Sequence, residues 1–330
     1  MIKDCGAYGV YLSYMTSCAL SNILVDGATV YGFVDAGPAG TKAKNRIDGS
    51  SHRSSSSGGR FDTDCNFITL LVADNVGAAG FVVSGDNNLV IVLVTTAATQ
   101  HVTVSGDYNH VIMVTEAEVQ TNTALVVSGT HNRVDGIASG KVTVTGDYNR
   151  LNLITTNVGA NMLEVAGLNC KVEGIYQGTA TITGDNNDLD ATFVGTLNIG
   201  SSGNSASGVR ARGRLTGNMT IVGDNNDVDM VIGGAVNIGI GGATPVPAYG
   251  TRMRGRITGN LTIVGDNNDI DMVIGSNVSI PAGSDGNTLA GRVIGTLNVA
   301  GNSNFVPAKV TGTITNTGAT NTKPAAAVAL

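Results

Sequence analysis

The strongest constraint on the fold of this chain is that it repeats itself. Residues 216–233 read TGNMTIVGDNNDVDMVIG, and residues 258–275 read TGNLTIVGDNNDIDMVIG. The two segments begin 42 residues apart and differ at only two positions. This self-similarity predicts a stack of similar units, each of which completes its core against its neighbours.

Weaker copies of the same turn place nine units in one register. Each unit has a glycine at the start of the turn: Gly85, Gly106, Gly129, Gly146, Gly167, Gly184, Gly223, Gly265 and Gly301. Three residues later comes the position that we call the Asn slot: Asn88, Asn109, Asn132, Asn149, Cys170, Asn187, Asn226, Asn268 and Asn304. The intervals are 21, 23, 17, 21, 17, 39, 42 and 36 residues. Because the last three are about twice the earlier ones, we expect each to contain a second coil with a degenerate turn.

Aliphatic residues flank every turn. Val or Ile stands two residues before each glycine, and Val, Leu or Ile stands two residues after each Asn slot. Polar residues often lie beside them, which is the period-two pattern of half-buried strands. A strand, a glycine turn and a second strand every 17 to 23 residues predict the coils of a β-solenoid.

The Asn slots predict a ladder of inward-facing amides. In a stack of coils about 4.8 Å apart, equivalent side chains form columns, and each amide can bond its neighbour and the turn backbone. Without such a ladder, buried turn amides would each cost roughly 1–3 kcal/mol. We expect the turn glycines to supply backbone angles that other residues resist, and Cys170 to interrupt the ladder locally.

The turns of the form G-D-N/Y-N between Val/Ile/Thr strands resemble those of the right-handed parallel β-helix, or pectin-lyase-like, superfamily. The early segment CALSNILVDGATVYGFV, residues 18–34, resembles a coil of that family as well. The resemblance covers most of residues 1–315. It implies an all-β fold, a right-handed parallel β-helix with protruding loops.

The expected organisation is a single β-helix over residues 1–315, followed by a C-terminal tail over 316–330. Its Gly, Pro and Ser content predicts a surface loop over 35–60, and the coils of 201–315 carry longer insertions. The chain starts in a coil and shows no amphipathic cap helix. Because an open solenoid end exposes unpaired strand edges, we expect the chain to work inside a larger assembly.

Composition excludes several classes of function. Nineteen Lys and Arg against 25 Asp and Glu give a net charge of −6, which argues against nucleic acid as a partner. No apolar run reaches the roughly 18 residues of a membrane helix, so membrane insertion is not expected. The four cysteines form no CxxC pair, and no cofactor is predicted.

Acidic residues recur at two outward positions. The position three residues after the Asn slot supplies the candidate catalytic residues Asp135, Glu173, Asp190, Asp229 and Asp271, and the position one residue after it supplies the candidate calcium ligands Asp188, Asp227 and Asp269. Paired carboxylates suit glycoside hydrolysis, and a D-x-D pair with cross-coil neighbours can hold Ca²⁺. The alternative is a solvated face with ion pairs between coils. Because D-x-D recurs in three units, the alternative is favoured.

Arginines form a second repeated set, G-x-R-x-R-G-R, spaced 42 residues apart. Its members are Arg210, Arg212, Arg214, Arg252, Arg254 and Arg256, with Arg292 beyond them. We expect them on a face opposite the D-x-D columns, where they bind an anionic glycan or a neighbouring subunit, or balance the charge of the aspartates. Arg212 and Arg254 are the binding candidates here, and His52 and Arg53 are candidates for receptor contact in the predicted loop.

These features favour a structural and host-recognition component of a bacteriophage virion, resembling tailspikes and tail fibres. Such a protein would be made in the host cytoplasm and located in the virion, as a homotrimer bound to other virion proteins and to host surface polysaccharide. One alternative is an enzyme on the same fold, a polysaccharide lyase, hydrolase or epimerase. That hypothesis requires a single unrepeated cluster of carboxylate with Arg, Lys or Tyr. A bacterial surface adhesin is a further alternative.

Overall fold

A computed structural model describes the chain as an all-β protein built from parallel strands. The described residues are 1–38, 40–55, 57–73, 79–95, 100–116, 123–156, 162–241 and 245–322, and they include no α-helix. The predicted parallel β-solenoid is confirmed, whereas its right-handedness stays a prediction. Two compact units divide the chain, Met1–Gly174 and Ile175–Leu330, and the single domain over 1–315 also stays a prediction.

Among the described residues, thirty-two strands alternate between two sheets. The odd-numbered strands are β1 (Ile2–Lys3), β3 (Ala19–Asp26), β5 (Arg46–His52), β7 (Phe67–Ala73), β9 (Leu89–Thr95), β11 (His110–Glu116), β13 (Arg133–Ala138), β15 (Arg150–Thr155), β17 (Lys171–Gln177), β19 (Asp188–Val194), β21 (Arg210–Leu215), β23 (Asp227–Ile232), β25 (Arg252–Ile257), β27 (Asp269–Ile274), β29 (Thr288–Val293) and β31 (Lys309–Val310).

The even-numbered strands are shorter in the second unit. They are β2 (Tyr8–Ser13), β4 (Tyr31–Ala36), β6 (Ser57–Phe61), β8 (Ala79–Val83), β10 (Gln100–Val104), β12 (Thr123–Val127), β14 (Lys141–Val144), β16 (Leu163–Val165), β18 (Ala180–Ile182), β20 (Leu197–Ile199), β22 (Met219–Ile221), β24 (Val236–Ile238), β26 (Leu261–Ile263), β28 (Val278–Ile280), β30 (Leu297–Val299) and β32 (Ile314–Asn316).

Parallel pairing aligns equivalent residues of successive coils within each unit. In the first unit Val90 is level with Val111, which is level with Val134, and all three are fully buried. In the second unit Val228 is level with Met253 in the same way, again without exposure. Stacked aliphatic columns of this kind form the core of each unit, because apolar area removed from water is the main stabilising term.

The predicted extra coils are present in the three long intervals. Their strands are β20 and β21, β24 and β25, and β28 and β29. In these coils the Asn slot is occupied by Val209, Thr251 and Asn287, whose main-chain N–H groups donate to the slot asparagine of the following coil. Each of the three long intervals therefore contains a complete additional coil, and only the sequence pattern of its turn is missing.

The prediction of a surface loop over 35–60 is wrong for half of that range, which contains the end of β4, all of β5 and most of β6. Ser51, Ser54 and Ser57 are buried. The hydroxyl groups of Ser51 and Ser54 lie 2.9 Å apart, and the Ser57 hydroxyl donates to the carbonyl oxygen of Gly80. Small hydroxyl side chains that satisfy one another can pack inside a coil, so the low hydrophobicity of this segment concealed its strands.

The predicted tail over 316–330 also begins inside the stack. The amide oxygen of Asn321 accepts the main-chain N–H of Asn304 at 2.8 Å, so residues up to this point continue the series of coils. Residues 323–330 lie outside the described residues.

Candidate functional site

The buried asparagines of the slots hold successive turns together, and Asn45 and Asn66 occupy the equivalent position in two earlier coils. Their amide oxygens accept main-chain N–H groups of the preceding slot at 2.8–3.0 Å, in the pairs Asn45 to Asn66, Asn66 to Asn88, Asn88 to Asn109, Asn109 to Asn132, Asn132 to Asn149, Asn268 to Asn287 and Asn287 to Asn304. Direct bonds between side-chain amides join Asn268 to Asn287 and Asn287 to Asn304. The asparagine side chains therefore satisfy backbone groups and face away from solvent.

The slot asparagines at Asn187 and Asn226 are equally buried. The side-chain amide of Asn187 donates to the carbonyl oxygen of Gly184. Cys170 occupies its slot as a buried thiol, with Sγ 3.4 Å from the carbonyl oxygen of Gly146. Burial raises the pKa of the Cys170 thiol, so this cysteine is a poor nucleophile at neutral pH.

A second ladder, which sequence analysis missed, runs through the turn aspartates. Each carboxylate accepts a main-chain N–H from the next coil at 2.6–3.2 Å: Asp64 from Asp86, Asp86 from Asp107, Asp107 from Thr130, Asp147 from Leu168, Asp185 from Ser207, Asp224 from Tyr249, Asp266 from Asp285, and Asp285 from Asn302. The recurrence of Asp directly after the turn glycine was the available signal. These carboxylates serve the fold, because a hydrogen bond to a charged acceptor is a strong one.

The turn glycines of the first unit have a different role from the predicted one. A left-handed backbone occurs two residues later, as at Tyr108 and Tyr148, each with φ 57°. The glycine itself is required by close stacking, since a Cβ on Gly106 would overlap the carbonyl oxygen of Gly85. In the second unit Gly223 does have positive φ.

The candidate catalytic residues of the first unit are bound in ion pairs. The Asp135 carboxylate lies 2.8 Å from His110 Nε2 and 2.7 Å from Arg133 Nε. Glu173 accepts from Arg150 Nη2 and Lys171 Nζ, each at 2.8 Å. These contacts agree with the alternative to catalysis, in which the outward acids form ion pairs on a solvated face.

The ion pairs also set the protonation of both acids. Burial by itself would raise the pKa of Asp135, but hydrogen bonds from Arg133 and His110 outweigh it and lower that pKa below its ordinary value. The hydrogen bond from Lys171 is the main cause of the lowered pKa of Glu173. A general acid in glycoside hydrolysis needs a raised pKa, so neither carboxylate is prepared for that role.

In the second unit, strands rich in aspartate alternate with strands rich in arginine on one outward face. The first column reads Asp188, Arg210, Asp227, Arg252, Asp269 and Thr288; the second reads Asp190, Arg212, Asp229, Arg254, Asp271 and Ala290. The expectation that the arginines lie opposite the aspartates is therefore wrong. The extra coils insert each R-x-R strand between two D-x-D strands, on the same face.

Ion pairs follow from this alternation. Arg212 Nη2 donates to the Asp188 carboxylate at 2.9 Å, and this contact raises the pKa of Arg212. Arg210 and Arg252 lie 3.9 and 3.7 Å from Asp227 and Asp269. Because the side chains of these last two pairs are largely exposed, each of the two pairs contributes only about 0–1 kcal/mol to stability.

The alternation also bears on the calcium hypothesis. Successive D-x-D strands are separated by an arginine strand and so lie about 9.6 Å apart, twice the strand spacing. The cross-coil neighbour of Asp227 is an arginine on both sides. Within the described ranges, no group of three or more His, Cys, Asp or Glu side chains is placed to hold a metal ion.

A third outward column departs from the alternation. It reads Thr192, Arg214, Val231, Arg256, Val273, Arg292 and Lys309. Cross-strand neighbours of Arg214 and Arg256 are neutral, and Val231 between them is half exposed. This column is positively charged, and the spacing of the repeats alone does not distinguish its arginines from those of the other two columns.

His52 and Arg53 lie at the end of β5, beside a shallow cavity of about 260 Å³ lined also by Leu24 and Asp26. Arg53 donates two hydrogen bonds to the Asp26 carboxylate, at 2.7 and 2.6 Å. Hydrogen bonding from Arg53 is the main cause of the lowered pKa of Asp26. The Arg53 guanidinium, a candidate for receptor contact, is therefore already bound to the Asp26 carboxylate.

Comparison with protein-family models, curated proteins and solved structures finds no match to this chain. The part of the chain that the structure describes has no helix long and apolar enough to span a membrane.

Proposed function

We propose that this protein is a structural and recognition component of a bacteriophage virion, a tailspike-like or tail-fibre-like right-handed β-helix that binds host surface glycan. The observation that supports a binding role is the pairing of the outward carboxylates with basic side chains. Asp135 and Glu173 have lowered pKa values, and the D-x-D strands are interleaved with arginine strands. Acid–base catalysis would require a carboxyl group whose pKa lies near the working pH, at a position that is not repeated from coil to coil.

The trimeric state that we propose has support in the first unit. On the outward face of its odd-numbered strands, Ile91, Leu93, Ile112, Ile137 and Ile154 are 36–45% exposed. Contiguous apolar side chains on a monomer surface mark interaction sites, because their burial in an assembly is favourable. This face would be covered by neighbouring copies of the chain.

The test is to incubate the purified chain with a panel of bacterial surface polysaccharides and to measure both binding and the release of reducing ends. Binding without release is the expected result. Release of oligosaccharides would overturn the proposal in favour of the enzymatic alternative, and Asp135, Glu173, Asp190, Asp229 and Asp271 would be the first residues to mutate. Absence of binding to every polysaccharide would overturn glycan recognition.

A further inference from the structure

The third column of the second unit carries four cationic side chains. Arg214, Arg256 and Lys309 are exposed, and Arg292 is half-buried. Within the described residues no ion pair joins any of these four to a carboxylate. The arginines of the first column, on the same strands, do have carboxylates within 4 Å. The difference follows from the register, since Val231 and Val273 take the place of aspartate in the third column.

The sequence segments that flank the strands of this column also lack carboxylates. The sequence has no Asp or Glu in residues 191–223, 230–265 or 272–284. The turns after the third column instead carry exposed Asn218, Asn260 and Asn277. Their amide oxygens accept main-chain N–H groups within the protein, and their amide nitrogens can donate to neutral hydroxyl groups. A cationic row beside uncharged hydrogen-bonding groups suits a ligand that is both anionic and rich in hydroxyls.

We propose that the third column binds an extended acidic polysaccharide with its carboxylates on alternate sugars. Arg214, Arg256 and Arg292 lie on every second strand, so they repeat at about 9.6 Å along the stack. A guanidinium binds a carboxylate through two parallel N–H groups. This inference rests on the proposed function, because it names the class of glycan that the protein recognises.

The spacing favours a polysaccharide over a nucleic acid. Phosphates follow one another at about 3.4 Å per strand of a duplex, and neutralising many of them is what gives nucleic-acid affinity. Cations at about 9.6 Å intervals would meet only about one phosphate in three. The column therefore matches a polymer whose charges are widely spaced.

The experiment measures the affinity of the full chain for hyaluronate, in which every second sugar carries a carboxylate, with neutral dextran and single-stranded DNA as comparison probes. We expect hyaluronate to bind and dextran not to bind. The double variant Arg214→Gln/Arg256→Gln should raise the dissociation constant for hyaluronate about tenfold or more. Its matched control, Arg210→Gln/Arg252→Gln, removes the same charge from the same strands and should raise it less than about threefold.

A second variant tests the column with every arginine left in place. Val231→Asp/Val273→Asp extends the aspartate–arginine alternation into the third column and should abolish hyaluronate binding, because the guanidinium groups gain internal partners. Thermal unfolding of each variant should match that of the wild type, since all substituted side chains are outward-facing.

Several outcomes would overturn the inference. If Arg210→Gln/Arg252→Gln weakened hyaluronate binding as much as Arg214→Gln/Arg256→Gln, overall charge would decide binding. If the chain bound single-stranded DNA more tightly than hyaluronate, the ligand would belong to a different class of polymer. Binding of neutral bacterial polysaccharides without hyaluronate would overturn the inference and leave the proposed function standing. Absence of binding to any polysaccharide would overturn both.

Discussion

At the scale of single residues, buried polar groups decide how the coils are held in place. Asp35 is fully buried. One of its carboxylate oxygens accepts from Thr63 Oγ1 at 2.6 Å and from Asn45 Nδ2 at 3.1 Å, while the other has no hydrogen-bond partner. Burial raises the pKa of Asp35, and the two hydrogen bonds only partly oppose that shift.

Replacement of Asp35 by Asn should remove a pH dependence of stability. Because the pKa of Asp35 is higher in the folded than in the unfolded state, its contribution is complete below the unfolded pKa and is lost as pH rises through the folded pKa. The melting temperature of the wild type should therefore fall relative to Asp35→Asn as the solution is taken from acid to neutral pH. Parallel curves of melting temperature against pH for the two proteins would contradict this expectation. Asp48→Asn, on the outward face of β5, is the control.

Asn149 is a slot residue whose side-chain amide bonds to main-chain groups through both its oxygen and its nitrogen. Its amide oxygen accepts the N–H of Asn132, and its amide nitrogen donates to the carbonyl oxygens of Gly129 and Gly146 at 2.8 and 2.7 Å. All three partner groups belong to buried residues of the turns, so the loss of this side chain leaves backbone groups unsatisfied.

Asn149→Ala should lower the free energy of unfolding by about 2–4 kcal/mol, since each unsatisfied buried group costs about 1–3 kcal/mol. Denaturant unfolding followed by circular dichroism measures the change. Asn152→Ala, an exposed position of the same strand, should have almost no effect. If the two variants were equally stable, the buried amide would not be holding the turns.

At the scale of elements, the turns are limited by how closely they stack. Successive turn glycines of the first unit face the carbonyl oxygen of the coil before, as Gly106 faces Gly85 and Gly129 faces Gly106. No side chain fits between them. The repetition of the same turn geometry in successive coils therefore depends on the absence of a Cβ at these positions.

Gly106→Ala should destabilise the first unit by about 3 kcal/mol or more, because the added Cβ forces two turns apart. Gly6→Ala is the matched control, as nothing lies within 4 Å of the position that its Cβ would take. Thermal unfolding compares the two. A melting temperature of Gly106→Ala equal to that of the control would mean that neighbouring turns separate freely.

At the scale of the whole molecule, the two units present different outward surfaces. The first unit exposes aliphatic side chains on its odd-numbered strands, and the second exposes alternating charges on its own. Apolar surface favours association of protein chains, whereas a charge lattice stays hydrated. The proposed trimer contact therefore belongs to the first unit.

Ile91→Lys/Ile112→Lys should convert the proposed trimer to a monomer, because association would bury two unpaired ammonium groups. Light scattering coupled to size-exclusion chromatography gives the native mass. Ile294→Lys, at a position of similar exposure in the second unit, should leave the mass unchanged. A monomeric wild type would contradict the trimer.

The sequence by itself determined the coils, the positions of the buried asparagines and the three hidden turns. These follow from patterns along one coil, because a parallel stack repeats the same side-chain periodicity in each layer. Where periodicity was weak, as in the serine-rich strands β5 and β6, the same argument predicted a loop. Hydroxyl groups that satisfy each other across coils leave no hydrophobic pattern to detect.

Only the tertiary structure decided which outward residues adjoin. Arg212 is level with Asp190 and Asp229 because a coil without a recognisable turn inserts β21 between β19 and β23. The same register leaves Arg214 beside neutral residues. Neighbours across coils are set by the pairing of strands some 20 residues apart, and a shift of one residue would turn every side chain to the other face of the sheet.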